Sequence, residues 1–180
     1  MTRIAAVAIA VFLTVASAGC GGGARYPTDN IRDYHVTFHA ADASESCPQE
    51  MKDEAAGLQE YSQTYRIHWL NGPDDNTVDL YWKARGDADS AYSFFASGTL
   101  EGSLDDGAVN YAGGSYEENR GAAQVTYRIE GRARTRFSDE LPDSTEEYII
   151  TASSDTASYP VGCVYTLYYD GNLASEQDGE

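Results

Sequence analysis

Basic residues are scarce in this sequence of 180 residues. Twelve lysines and arginines stand against 29 aspartates and glutamates, a formal net charge of −17. A field of that sign repels nucleic acid and anionic lipid, so neither is an expected partner. Cysteine is scarce as well: three occur, with no Cys-x-x-Cys redox or zinc pattern among them. Gly-x-Ser-x-Gly, His-Glu-x-x-His and P-loop motifs are all missing, and Gly114-Ser115 falls inside a strand pattern with Gly113. No enzyme activity, no cofactor and no metal is expected. A membrane-spanning helix needs roughly 20 apolar residues. The one apolar run, Ile4 to Val15, is shorter, is interrupted by Thr14, and ends in small residues.

That run is the most informative stretch of the chain. Arg3 supplies a positive start, the apolar segment follows, and Ser17-Ala18-Gly19 leads to Cys20. The pattern resembles the lipobox of bacterial lipoprotein signal peptides, with Ser17 standing where Leu or Val is usual. The resemblance covers the first 20 residues and implies cleavage between Gly19 and Cys20, with acyl chains such as palmitate on Cys20. A signal for an unlipidated secreted protein would also show small residues here, but would leave Cys20 an unpaired exported thiol. Each buried CH₂ of an anchor contributes about 0.8 kcal/mol, and one chain alone holds only marginally. Gly21-Gly22-Gly23-Ala24-Arg25 then provides a tether without apolar content. The expected location is the cell envelope, lipid-anchored and facing the extracytoplasmic side.

The expected organisation is a signal peptide over 1–19, a lipidated cysteine and tether over 20–31, one β domain over 32–173 and an acidic tail over 174–180. About 160 residues remain after the signal, one domain's worth and enough for a core. Cys47 and Cys163 form an even pair in an exported chain and read as a disulfide. Two buried free thiols are the alternative. The bridge would close a loop of more than 100 residues, for which chain entropy gives about 4 to 5 kcal/mol.

Strand follows strand in the body. From Gln124 to Phe137, Val125, Tyr127, Ile129, Gly131, Ala133 and Phe137 fall on one face, with Arg128, Glu130, Arg132, Arg134 and Arg136 on the other. A helix does not produce period two over so long a stretch. At about 3.4 Å per residue the strand exceeds 40 Å, which suggests a bend at Gly131. Alternating segments also span Tyr34–Ala40, Tyr65–Trp69, Val78–Ala84, Tyr92–Leu100, Val109–Glu117, Glu147–Ser153 and Val161–Tyr169. Breaks such as Asn71–Asn76 and Asn119-Arg120-Gly121 are short turns, which join antiparallel neighbours. Between Pro48 and Tyr61 the residues Met51, Ala55, Leu58 and Tyr61 have helical spacing, predicting one short helix across an end of the sheet. The fold expected is all-β, about eight antiparallel strands in an up-and-down barrel with one helix; a β-sandwich is the alternative. This order is similar to the lipocalin-like barrels, although Tyr34-His35-Val36 stands where their Gly-x-Trp signature would be.

Few residues suggest chemistry. His35 and His39 on a strand lie about 13 Å apart and cannot share an ion; these and His68 read as solvent-facing. Asp74-Asp75-Asn76, Asp87-Ala88-Asp89 and Asp105-Asp106 lack calcium-loop spacing and read as turn formers. Glu117-Glu118 and Glu146-Glu147 are adjacent, so each pair points to opposite faces and makes a poor acid/base couple. The arginine row on Gln124–Phe137 reads as cross-strand pairing, for example with acids near Glu146 and Glu147. The 14 tyrosines can line a pocket or fill a small barrel solidly. The expected function is a binding module for a small apolar or amphipathic ligand lined by Tyr65, Trp69, Trp82, Tyr127 and Tyr165. The alternative is an interaction lipoprotein that contacts another envelope component through its acidic surface.

Overall fold

The structure, a computed structural model, describes residues 31–69, 76–88, 91–102, 106–137 and 139–174. The signal segment, Cys20, the glycine tether, the Asn71–Asp75 turn and all of the tail except Ala174 lie outside the described residues. So does the Trp69 side chain.

Strand β1 (Ile31–Ala43) leads into helix α1 (Gln49–Ala56), and seven further strands complete the chain. They are β2 (Tyr61–Trp69), β3 (Thr77–Ala84), β4 (Ser93–Gly102), β5 (Asp106–Arg120), β6 (Ala123–Arg136), β7 (Glu140–Ser153) and β8 (Val164–Leu173). Each pairs antiparallel with its chain neighbour, and β8 returns to pair with β1 from Tyr34–Leu173 to Ala43–Tyr165. That last ladder closes an up-and-down barrel and sets the sandwich alternative aside. Closure also removes the free edges through which an all-antiparallel sheet would aggregate.

Alternation holds where it was read. Tyr65, Ile67, Val78, Leu80, Val125, Tyr127, Tyr165 and Leu167 are buried, and Trp82 and Ile129 pack partly buried against the same core. An eight-stranded barrel has an interior just wide enough for side chains to fill. Here rings fill it: Phe38 stacks on Tyr61 and meets Tyr65 and Tyr169, while Phe95 bridges Tyr65 and Tyr111.

Two elements end earlier than the spacing suggested. α1 stops at Gly57 instead of reaching Tyr61, because Tyr61 opens β2 and stacks on Phe38 at 4.7 Å. β6 stops at Arg136. Phe137 takes a left-handed backbone (φ 54°) in the following turn and is 70% exposed, so it leaves the inner face. Ala174 does not belong to a free tail, since its amide donates to Asp33 O at 2.7 Å.

The helix crosses one end of the barrel. Met51 and Ala55 are its buried face, and their apolar burial holds it there at about 1.5–3 kcal/mol for a side chain the size of Met51. A Cys47–Cys163 disulfide fixes its entry to the start of β8. Around that bridge Ser44 N donates to Val164 O, and Val164 N to Ser44 Oγ.

Gly131 is indeed the place where β6 must be bare. A Cβ there would lie 2.2 Å from Tyr111 Cζ, because the Tyr111 ring passes directly over it. Tyr111, Gly131 and Glu146 are register partners on β5, β6 and β7, so the missing side chain lets the ring cross the intervening strand. Gly131→Ala is therefore expected to lose about 1–3 kcal/mol in urea unfolding. Combining it with Tyr111→Leu should show a coupling of about 1 kcal/mol or more; additive losses would contradict the crossing contact.

Candidate functional site

Two polar clusters occupy the interior, and they differ in how well their hydrogen bonds are satisfied. The first surrounds Glu146, which β7 points inward and which is 2% exposed. Its Oε2 accepts from Tyr65 Oη at 2.8 Å and from Tyr111 Oη at 2.9 Å; its Oε1 accepts from Tyr148 Oη at 2.6 Å. Tyr169 Oη adjoins Tyr111 Oη at 3.4 Å. Three strands, β2, β5 and β7, thus meet on one carboxyl group, and β8 joins through Tyr111. Burial raises the Glu146 pKa above the ordinary carboxylate value, against the opposing pull of the hydrogen bonds from Tyr148, Tyr65 and Tyr111. Burial likewise pushes Tyr65, Tyr111 and Tyr148 well above the usual phenol value, with the Glu146 charge adding to it.

The sequence did not single out Glu146 in this role. It paired the residue with arginines on the outer face, whereas those arginines find other partners: Arg128 meets Glu130, Arg132 meets Glu101, and Arg136 meets Glu140. The available signal was parity. Tyr148 and Ile150 share a face with Glu146, and that face is apolar two residues in the C-terminal direction and beyond.

The second cluster lies under α1, at the end where β5 finishes and β6 and β8 begin. Arg120 Nη1 donates to Glu54 Oε2 of the helix at 3.0 Å, and Arg120 Nε donates to Glu118 Oε2 at 3.1 Å. The Glu54 contact pins the helix across the mouth from its disulfide-tied entry. Burial works to lower the Arg120 pKa, but the carboxylates of Glu118 and Glu54 outweigh it and hold the guanidinium charged. Tyr116 stacks on Tyr127 at 5.1 Å and meets Tyr148 edge-on at 6.0 Å, joining the two clusters. Tyr165 is 9% exposed, and its hydroxyl is buried with no hydrogen-bond partner among the described residues. The Tyr127 hydroxyl differs, because the Arg120 guanidinium lies beside it and works against the burial that raises its pKa. Desolvation raises both phenols to about 12, so both remain protonated in ordinary buffers.

The five residues expected to line a ligand site therefore separate. Tyr127 and Tyr165 both lie within the influence of Arg120 at the end under the helix. Trp82, the register partner of Tyr65, lies near the same end. Tyr65 itself belongs to the Glu146 cluster. The Trp69 backbone pairs with Val78, four residues from Trp82 along β3.

The histidines do not gather. His35 Nδ1 is 3.3 Å from Thr64 Oγ1, and His39 Nδ1 lies 3.8 Å from Asp170 Oδ2. His68, expected to face solvent, is only 6% exposed where it pairs with Ile31 and Asp79. Among the described residues no three His, Cys, Asp or Glu side chains converge as a metal site would require.

A raised carboxyl pKa in the folded state has a definite sign. The stabilisation it brings is complete below the unfolded carboxylate value and is lost as pH rises through the folded one. Glu146→Gln, which cannot ionise, should thus gain stability relative to the native chain as pH rises from mildly acid to neutral. Chemical unfolding of both at several pH values checks it, and a difference independent of pH would contradict it. Glu146→Ala, which strands three phenols, should lose about 3 kcal/mol or more.

Comparison with family models, with curated proteins and with solved structures finds no match for this chain, so its function is argued from its own geometry.

Proposed function

We propose that this chain is a lipid-anchored binding module of a bacterial cell envelope, whose barrel takes a small amphipathic ligand at the end covered by α1. The observation that carries the reading is the buried Tyr165 hydroxyl, which has no hydrogen-bond partner among the described residues. More than about nine in ten buried polar groups are paired in folded proteins. The Glu146 cluster obeys that rule, with three phenols bonded to one carboxyl group. The helix-covered end breaks it at Tyr165. Pockets for small molecules combine mostly apolar walls with a few converging polar groups, and Val125, Ile150 and Leu167 supply buried apolar neighbours.

The anchor rests on the lipobox resemblance around Cys20. A tether of glycines would let an acidic domain stand off a membrane whose charge repels it. The second reading, an interaction lipoprotein, is favoured by the exposed outer-face pair Tyr81–Phe94, in which Phe94 is 54% exposed.

Two measurements test the proposal. Cells fed a labelled fatty acid should incorporate it into the native chain and not into Cys20→Ala; label surviving in the variant would sink the anchor. A panel of soluble amphiphiles should shift the tryptophan emission saturably, and Trp82→Ala should weaken that binding more than Arg134→Ala on the outer face. No saturable change with any member would hand first place to the interaction reading.

A further inference from the structure

The charges beneath α1 restrict what the Tyr165 hydroxyl can receive. One guanidinium faces two carboxylates: Arg120 donates through Nη1 to Glu54 and through Nε to Glu118. Its planar fork is thereby occupied on two edges, and the cluster keeps a surplus negative charge. An entering anion would meet that surplus with no cation left to receive it. An entering ammonium would have to displace a guanidinium from carboxylates that it fits in a fixed geometry, whereas an ammonium is a more strongly hydrated point charge. What remains unclaimed among the described residues is neutral, namely the phenol group of Tyr165. A protonated phenol is a hydrogen-bond donor, and its complement in a site of low dielectric is an oxygen acceptor.

We propose that the helix-covered end selects an uncharged amphiphile with an amide, ester or ketone oxygen, over the corresponding anion or cation. This rests on the binding reading above and narrows it to a ligand class. The carbonyl oxygen accepts from Tyr165 Oη, while the alkyl body lies along the apolar wall. A hydroxyl buried without a partner is a standing penalty in the free protein, and the ligand removes it. This separates a binding role for Tyr165 from a structural one. A structural hydroxyl stabilises the empty domain, whereas an orphan destabilises it.

Calorimetric titration of the full chain at neutral pH with octanamide, octanoate and octylammonium tests the class at constant chain length. Octanamide is expected to bind about tenfold more tightly than either charged probe, a difference of about one decade in Kd. Tyr165→Phe should weaken octanamide several-fold and leave the ligand-free melting temperature unchanged or higher. Preference for octanoate or octylammonium overturns the neutral class while leaving the binding reading intact. Octanamide affinity unchanged in Tyr165→Phe, or a lower melting temperature of that variant without ligand, overturns the assignment of the hydroxyl. If neither these probes nor the wider amphiphile panel bind, the class and the binding reading fall together.

Discussion

A single carboxyl group with no cation beside it organises the interior of this barrel. Glu146 receives hydrogen bonds from Tyr65, Tyr111 and Tyr148, and Tyr169 joins through Tyr111. A buried charge without partners is severely unfavourable. Three directed donors from three strands make this one tolerable, and they also define where those strands must lie. Gly131 is part of the same arrangement, since the Tyr111 ring reaches the carboxyl group only by crossing over a strand that lacks a side chain there. Aromatic packing then extends outward from the cluster: Phe95 and Tyr169 against Tyr65, Phe38 against both Tyr65 and Tyr61, and Tyr116 against Tyr148.

The barrel is consequently polarised along its axis in its chemistry. Its middle is a saturated network with no unmet donor on the phenols that surround Glu146. The end under α1 is held by covalent and ionic ties, Cys47–Cys163 on one side and Glu54–Arg120 on the other. The Tyr165 hydroxyl, without a hydrogen-bond partner among the described residues, belongs to this end. A helix attached at two points is suited to covering a site. The ionic tie is the weaker of the two, because it is partly solvated and made through one flexible side chain at each end.

The architecture was largely legible before any coordinates. Period-two alternation marked all eight strands, short turns implied antiparallel neighbours, and the pairing of Cys47 with Cys163 read from the sequence is the bridge that is observed. Errors arose where local pattern competes with tertiary contacts. Tyr61 fits a helical stripe beginning at Met51, but a ring stack with Phe38 draws it into β2. Phe137 continues the inner face of β6 by parity, but the turn reverses the chain first and leaves it exposed.

The sequence by itself determined which residues face inward, because a strand's side chains alternate and the apolar ones must leave water. It also determined the acidic outer surface, the all-antiparallel order and the pattern at Cys20. Only the tertiary structure decided that Glu146 turns away from the arginines and meets tyrosines from distant strands, and that Arg120 bridges Glu54 to Glu118. It also left Tyr165 without a partner. These are angular and register relations around a closed barrel, set by strand coiling and by glycines such as Gly131, and no spacing along a single strand encodes them.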